Sequence, residues 1–189
     1  MKKIEIKEFG GPEVLEIKNV DIGKPGQNEV LVKNLSIGIN YIDTYHRSGL
    51  YPIPLPSGIG LEACSIIEEV GSEVKLFKVG DRVTRASMPI GTYSEKQIIP
   101  EDKLVKVPNN ISDEVASCIT LKGITAEYLL HRTYQVKKGD KILYHAAAGA
   151  LGQIFCPWAN ALGAEIIGTV GSDEKIEIAK KNGCHHVIN

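Results

Sequence analysis

The chain has 189 residues, room for one large domain or two small ones. With 43% hydrophobic and 24% charged residues it supports a packed core and excludes a disordered tract. Its 22 Lys and Arg against 23 Asp and Glu, with no long basic run, argue against nucleic-acid binding driven by phosphate attraction.

The N-terminus, Met1-Lys-Lys-Ile-Glu-Ile-Lys-Glu8, alternates apolar and charged residues. It lacks the continuous apolar stretch of a signal peptide and reads as a strand. No segment is long and apolar enough to span a bilayer, so no membrane partner is expected. Cys64, Cys118, Cys156 and Cys184 are scattered without a Cys-x-x-Cys pair. Structural zinc is therefore not expected, and the thiols read as reduced and cytoplasmic.

Strands are predicted at residues 4–9, 14–20, 29–39, 65–70, 81–85, 93–99 and 103–107 from alternation and from flanking turn residues. Residues 50–58, which hold Pro52, Pro54 and Pro56, must form a stiff loop. Many short strands with Gly and Pro turns predict a barrel or partly open barrel. Near residue 110 the pattern changes. Ser112 is placed to cap a helix opening with Asp113, Glu114 and Val115, and a second helix is predicted over 123–134. A strand at 140–145, a glycine turn, a helix at 150–162, a strand at 165–170, a helix at 173–181 and a strand at 186–188 come next. This β-α-β-α-β order is the opening half of a doubly wound parallel sheet, which in full has about six strands. Pro157 falls inside the 150–162 helix, and a kink is expected near Gln153.

The turn Ala147-Ala148-Gly149-Ala150-Leu151-Gly152 fits G-x-G-x-x-G with alanine in place of the first glycine. Gly149 lets backbone approach a pyrophosphate, and Gly152 lets the helix pack close to the strand. The N-terminal amides of the new helix, Ala150 and Leu151 among them, point a positive dipole end at the phosphates. The competing reading is a tight strand-to-helix turn with no ligand. An enzyme preferring NAD would carry an Asp or Glu about 20 residues on, for the ribose 2′-hydroxyl. The second strand ends instead in Thr169-Val170-Gly171-Ser172. Gly171, Ser172 and Lys175 suit a 2′-phosphate, so NADPH is the expected cofactor. Asp173 and Glu174 oppose this by charge, yet both suit the first turn of a helix.

These segments, together with Gly38-Ile-Asn-Tyr-Ile-Asp-Thr-Tyr45, His46-Arg-Ser-Gly-Leu-Tyr-Pro52, Lys78-Val-Gly-Asp-Arg-Val83 and Leu121-Lys-Gly-Ile-Thr-Ala126, resemble the zinc-free quinone oxidoreductases, relatives of zeta-crystallin in the medium-chain dehydrogenase/reductase superfamily. The resemblance runs over essentially the whole chain. It implies a GroES-like β-barrel substrate domain over 1–121 and the first half of a Rossmann domain that binds NADP over 122–189. Where zinc enzymes of the superfamily carry Cys, His and Cys ligands, this chain has Asn40, Leu61 and Lys122, none of them a thiolate or imidazole. Glu62 remains, and reads as a structural ion pair. By the same resemblance Asn40, Asp43, Tyr45 and Tyr51 would lie around the nicotinamide cleft, while Lys122, Thr125 and Tyr128 would contact the cofactor. Asn40, Tyr45 and Tyr51 are the expected catalytic residues, with amphipathic packing as the competing account of the tyrosines.

The implied reaction is hydride transfer from NADPH to a quinone, with Tyr51 or Tyr45 as a hypothetical proton source. Two alternatives stay open. One keeps the enzyme class with an enone or alkenal as acceptor. The other is a non-catalytic fragment with little cofactor binding, since the cofactor domain stops at its third strand. Family analogy makes the complete enzyme a homodimer, with the dimer-forming edge in the half that is missing here.

Overall fold

A computed structural model describes all 189 residues. The chain divides into two compact units, Met1–Leu121 and Lys122–Asn189.

The first unit is built of antiparallel strands. Five of them, β3 (Glu29–Gly38), β5 (Glu62–Val70), β6 (Arg82–Ala86), β7 (Lys96–Pro100) and β8 (Val105–Lys106), form a sheet in the order β7-β3-β5-β6-β8. A smaller sheet orders β2 (Glu16–Asn19), β1 (Lys2–Ile6) and β4 (Ser57–Gly58) as β2-β1-β4. A single bridge between Lys3 and Ser94 links β1 to the segment preceding β7. Two sheets joined this loosely make a partly open barrel. Alternating residues of the larger sheet, Val30, Val32, Ile67, Val83 and Ile99, bury one core together with Leu104. The β3–β5 pairing shifts register between Leu31 and Val32 and again between Asn34 and Ser36. Such bulges bend a strand and re-aim the residues beyond the bend. Here β3 runs on to Gly38, two residues before Asn40.

Helix α1 (Tyr41–Ser48) was not foreseen from the residue pattern. Its signals are local and polar: the Asp43 carboxylate accepts the Asn40 N–H at 2.9 Å, and Gly49 closes the helix with φ +81°. Residues 50–58, expected as loop throughout, contain the two-residue β4. Most other strands agree in place but are shifted or trimmed at their ends. The strand expected over 93–99 begins only at Lys96, because the N–H groups of Gly91, Thr92 and Tyr93 donate to Gly60 and Ile59 carbonyls.

The two helices expected over 112–134 are one, α2 (Asp113–Tyr128), closing in a wide π-type turn over Leu129–Thr133. Gly123 does not break it, and a side chain there would meet nothing within 4 Å. Ser112 caps the helix as expected, its Oγ accepting the Val115 N–H at 3.3 Å. The limit between the units falls within this helix.

In the second unit β9 (Lys141–Tyr144), β10 (Glu165–Thr169) and β11 (His186–Ile188) form a parallel sheet in the order β11-β10-β9. Helices α3 (Gly152–Ala161) and α4 (Ile176–Lys181) connect them, the latter entered through a 3-10 turn at Asp173–Lys175. The β-α-β-α-β order expected for the start of a Rossmann domain is present. Its core gathers Ala126, Leu130, Phe155, Ala159 and Ile166. The Tyr144 and Phe155 rings stack at 4.4 Å, pinning α3 to β9.

Helix α3 runs unbroken from Gly152 to Ala161 through Pro157, which is exposed, as is Gln153 one turn before it. Pro157 has no N–H to offer the Gln153 carbonyl one turn back, and both residues are exposed. Interior proline costs up to about 3 kcal/mol when unrelieved. Pro157→Ala should therefore raise the unfolding free energy by about 1–3 kcal/mol in urea titration. A fall in stability would mean that the ring packs productively.

Candidate functional site

Each unit gathers its own set of the expected residues. In the first unit they surround the junction of β3 and α1. Asn40 is buried, and its side-chain amide donates to Glu62 Oε2 at 2.9 Å. Glu62, at the start of β5, has no exposed surface, and its Oε1 accepts the backbone N–H of Leu121 at 2.7 Å. The expected ion-pair reading of Glu62 thus leaves out two neutral donors that define its place. In both contacts an N–H donates to the Glu62 side chain, one to each oxygen.

One turn into α1, Asp43 is also buried. Its Oδ2 accepts from the Asn40 N–H and from the Tyr93 hydroxyl, each at 2.9 Å. Burial pushes its carboxyl above the ordinary value, and those two hydrogen bonds partly offset the rise. Tyr45 and Tyr51 meet edge to face with centroids 5.2 Å apart, and the Tyr51 N–H donates to the Tyr45 carbonyl at 3.2 Å. Tyr51 is about half exposed, as is usual for a residue carried on a loop beside a site. Asn40, Asp43, Tyr45 and Tyr51 therefore share one end of this unit. Tyr93 and His46 were not singled out from the sequence, where nothing distinguishes them. Tyr93 joins the cluster across 50 positions of chain, and the His46 ring lies 6.3 Å from that of Tyr51.

In the second unit the phosphate-loop residues lie between β9 and α3. The Ala147 N–H donates to Thr169 O at 2.9 Å, fastening the loop to the end of β10. A Cβ on Gly152 would come within 2.4 Å of Ala147 O, so only glycine lets the helix start this close to the loop. The N–H groups of Ala150 and Leu151 find no acceptor within the chain, as expected of a helix start that offers donors outward. One detail departs from the glycine pattern. The left-handed residue is Ala146, with φ +55°, and not Ala147 at the first glycine position. The turn is thus made one residue early, by a non-glycine, at a cost of about 1–2 kcal/mol.

A cleft of about 120 Å³ lies between Ala146, Ala148 and Gly149 on one side and Val170, Gly171 and Lys175 on the other. No carboxylate lines it. Of the two acids before Lys175, Asp173 accepts the Asn189 side-chain amide at 2.6 Å and Glu174 is exposed, while Lys175 is exposed and forms no ion pair. Ser172 immediately precedes the 3-10 turn and supplies its carbonyl to the Lys175 N–H. Lys122, Thr125 and Tyr128 recur at every third position of α2 at the start of this unit.

Nowhere do three His, Cys, Asp or Glu side chains converge to hold a metal ion. Leu61, which the resemblance sets against a ligand of the zinc enzymes, is a core residue. All four cysteines are free, and burial pushes the Cys64 thiol up to about 11 and the Cys156 thiol up to about 12. Such thiols are poor nucleophiles at neutral pH. No helix is long and apolar enough to cross a membrane.

The Glu62 geometry yields a sharp test. Glutamine is nearly isosteric, but its NH2 would face either the Asn40 amide or the Leu121 N–H, donor against donor. Glu62→Gln should lower stability by about 2–3 kcal/mol in denaturant titration, more than a surface Glu→Gln change.

Residues 26–109 match the alcohol dehydrogenase GroES-like domain family, and residues 150–189 match the zinc-binding dehydrogenase family. The chain is 51% identical over 189 residues to quinone oxidoreductase of Pseudomonas aeruginosa, covering 100% of this chain and 58% of that protein. It is 48% identical over 191 residues to 2-haloacrylate reductase of a Burkholderia species, covering 97% of this chain and 57% of the relative. Among solved structures, Escherichia coli quinone oxidoreductase complexed with NADPH superposes with a TM-score of 0.96 at 50% identity, over 100% of this chain and 58% of the other. The chain thus spans somewhat more than half the length of the relatives it matches. With a GroES-like unit followed by the start of a Rossmann-type unit, the chain is similar along its whole length to the quinone oxidoreductases of the medium-chain dehydrogenase/reductase superfamily.

Proposed function

We propose that the chain carries the acceptor-side and cofactor-binding parts of an NADPH-dependent quinone reductase that works without a metal. The observation that carries this reading is the cleft beside the phosphate loop, where Gly171 and Lys175 stand in place of the carboxylate that an NAD-preferring site needs. The E. coli relative solved with NADPH supports the same cofactor. The residues present fit it: backbone donors are free at Ala150 and Leu151, and Gly149 and Gly152 keep the approach clear. In this reading the Gly149–Gly152 backbone holds the pyrophosphate, and Gly171, Ser172 and Lys175 take the 2′-phosphate. Asn40 in the first unit, and Lys122, Thr125 and Tyr128 in the second, are each proposed as cofactor contacts within their own unit.

NADPH, when bound, supplies a hydride to the acceptor. Reducing a quinone to a hydroquinone by hydride also needs a proton. Tyr45 and Tyr51 would orient the acceptor on the wall of the first unit and relay that proton. Their edge-to-face pairing presents a ring face to a flat acceptor. The buried thiols fit a reducing, cytoplasmic setting.

The Burkholderia relative favours a second acceptor class, an electron-poor carbon–carbon double bond as in a haloacrylate or enone. Turnover of a panel of quinones against enones and haloacrylates at saturating NADPH separates the two. Quinone preference supports the first reading, and exclusive alkene reduction replaces it.

Two variants test the residue assignments. Lys175→Ala should weaken NADPH binding about tenfold while leaving NADH binding unchanged, read by cofactor fluorescence titration. Equal losses for both cofactors would remove the 2′-phosphate role. Replacing Tyr45 and Tyr51 together by Phe should lower kcat about 10²-fold if either supplies the proton. Unchanged turnover would leave them as packing residues.

A further inference from the structure

The hydroxyl of Tyr93 takes no part in the proposed chemistry. Tyr93 is among the residues that line an open, mostly apolar cleft of about 350 Å³, with Ile4, Ile17 and Ile37. A phenylalanine would serve that wall equally well. The hydroxyl instead donates to Asp43 Oδ2, beside the N–H of Asn40. Asp43 is only 4% exposed, and its other oxygen, Oδ1, is buried with no hydrogen-bond partner. A carboxylate satisfied on one side alone depends heavily on the donors it has.

What Asp43 holds is the first turn of α1. The helix has eight residues, too few to persist on propensity alone, and the carboxylate returning to the Asn40 N–H is its N-terminal closure. The same turn fixes the Asn40 side chain on Glu62 and sets the entry angle of the segment bearing Tyr45. We infer that Tyr93 is a positioning residue: through Asp43 it locks the first turn of α1, and with it the Asn40 amide and the Tyr45–Tyr51 pair. The lock itself is independent of substrate; its consequence for turnover rests on the reductase reading proposed above.

The inference has a signature that loss of packing does not share. Four groups bear on the Asp43 carboxyl besides burial, which raises its titration: the Asn40 N–H, the Tyr93 hydroxyl and the neighbouring His46 on α1 lower it, and Glu62 on β5 raises it. Without the Tyr93 hydroxyl the ionised form loses a donor, so Asp43 takes up its proton at higher pH. A protonated Asp43 accepts the Asn40 N–H more weakly, and α1 loosens in that pH range.

The experiment is an NMR titration of the Asp43 carboxyl in the 189-residue chain and in Tyr93→Phe, with amide exchange of residues 41–48 monitored over the same pH range. The expected result is a higher Asp43 midpoint in Tyr93→Phe and about tenfold faster exchange in α1 between the two midpoints, with α3 amides unchanged. Identical midpoints and identical α1 exchange would overturn the inference. Should Tyr93→Phe fail to fold, Asp43→Asn decides. Its amide oxygen still accepts from Tyr93 and Asn40, so α1 exchange should lose its pH step, and a retained wild-type step overturns the inference. Quinone-dependent NADPH oxidation adds a separate arm. The acid limb of kcat should move to higher pH in Tyr93→Phe with the KM for NADPH unchanged. Absent turnover in the wild type counts against the reductase reading for this chain, while the titration still decides Tyr93.

Discussion

A fully buried carboxylate sets the geometry of the first unit. Glu62 begins the strand at the centre of the larger sheet, and its two oxygens accept hydrogen bonds from the Asn40 side-chain amide and the Leu121 backbone N–H. A charge taken out of water is costly unless hydrogen bonds replace its hydration. Those donors must therefore stay in place, which ties the entry of α1 and a turn of α2 to the same strand. Gly38 makes the arrangement possible: a Cβ there would lie 2.0 Å from Ser117 O, so β3 and α2 could not approach as they do. Asn40 then faces Glu62 and leads into α1, with Asp43 closing the helix and Tyr45 meeting Tyr51 beyond.

The second unit reaches the same end by backbone rather than charge. Its loop is alanine-rich where many dinucleotide loops have glycine, and the turn is carried by Ala146 in a left-handed conformation. The glycine that the fold needs is Gly152, because there the helix start touches loop backbone. What results is a cleft that presents one free cation, Lys175, near a helix start whose Ala150 and Leu151 amides have no acceptor in the chain. An anion suits such a place without any dedicated pocket of side chains.

Much of this was legible in the sequence, in ways that depend on range. The β-α-β-α-β order, the Ser112 cap and the phosphate loop are written in local periodicity and turn chemistry, and they stand at or near the expected positions. Helix α1 was missed because its closure is polar, an Asp43 carboxylate and Gly49, and apolar periodicity carries little of it. The break predicted inside α2 did not occur. Gly123 lowers helix propensity by only about 1 kcal/mol, a cost that the packing of Ala126 and Leu130 readily outweighs. Pro157 is carried inside a helix that is continuous from Gly152 to Ala161, with Pro157 and Gln153 both exposed.

By itself the sequence determined the kind of protein this is: the strand-rich first part, the nucleotide-type loop, the absence of a carboxylate at the tip of β10, and the family to which its motifs point. Each of these resides in residues that are neighbours along the chain, where spacing alone carries the meaning. Only the tertiary structure decided that Tyr93 reaches Asp43 across 50 residues, that Leu121 reaches Glu62 across 59, and that Asp173 is engaged by Asn189 while Lys175 stays free. A hydrogen bond between distant residues depends on where the whole backbone places two atoms within about 3 Å, and no local pattern encodes that.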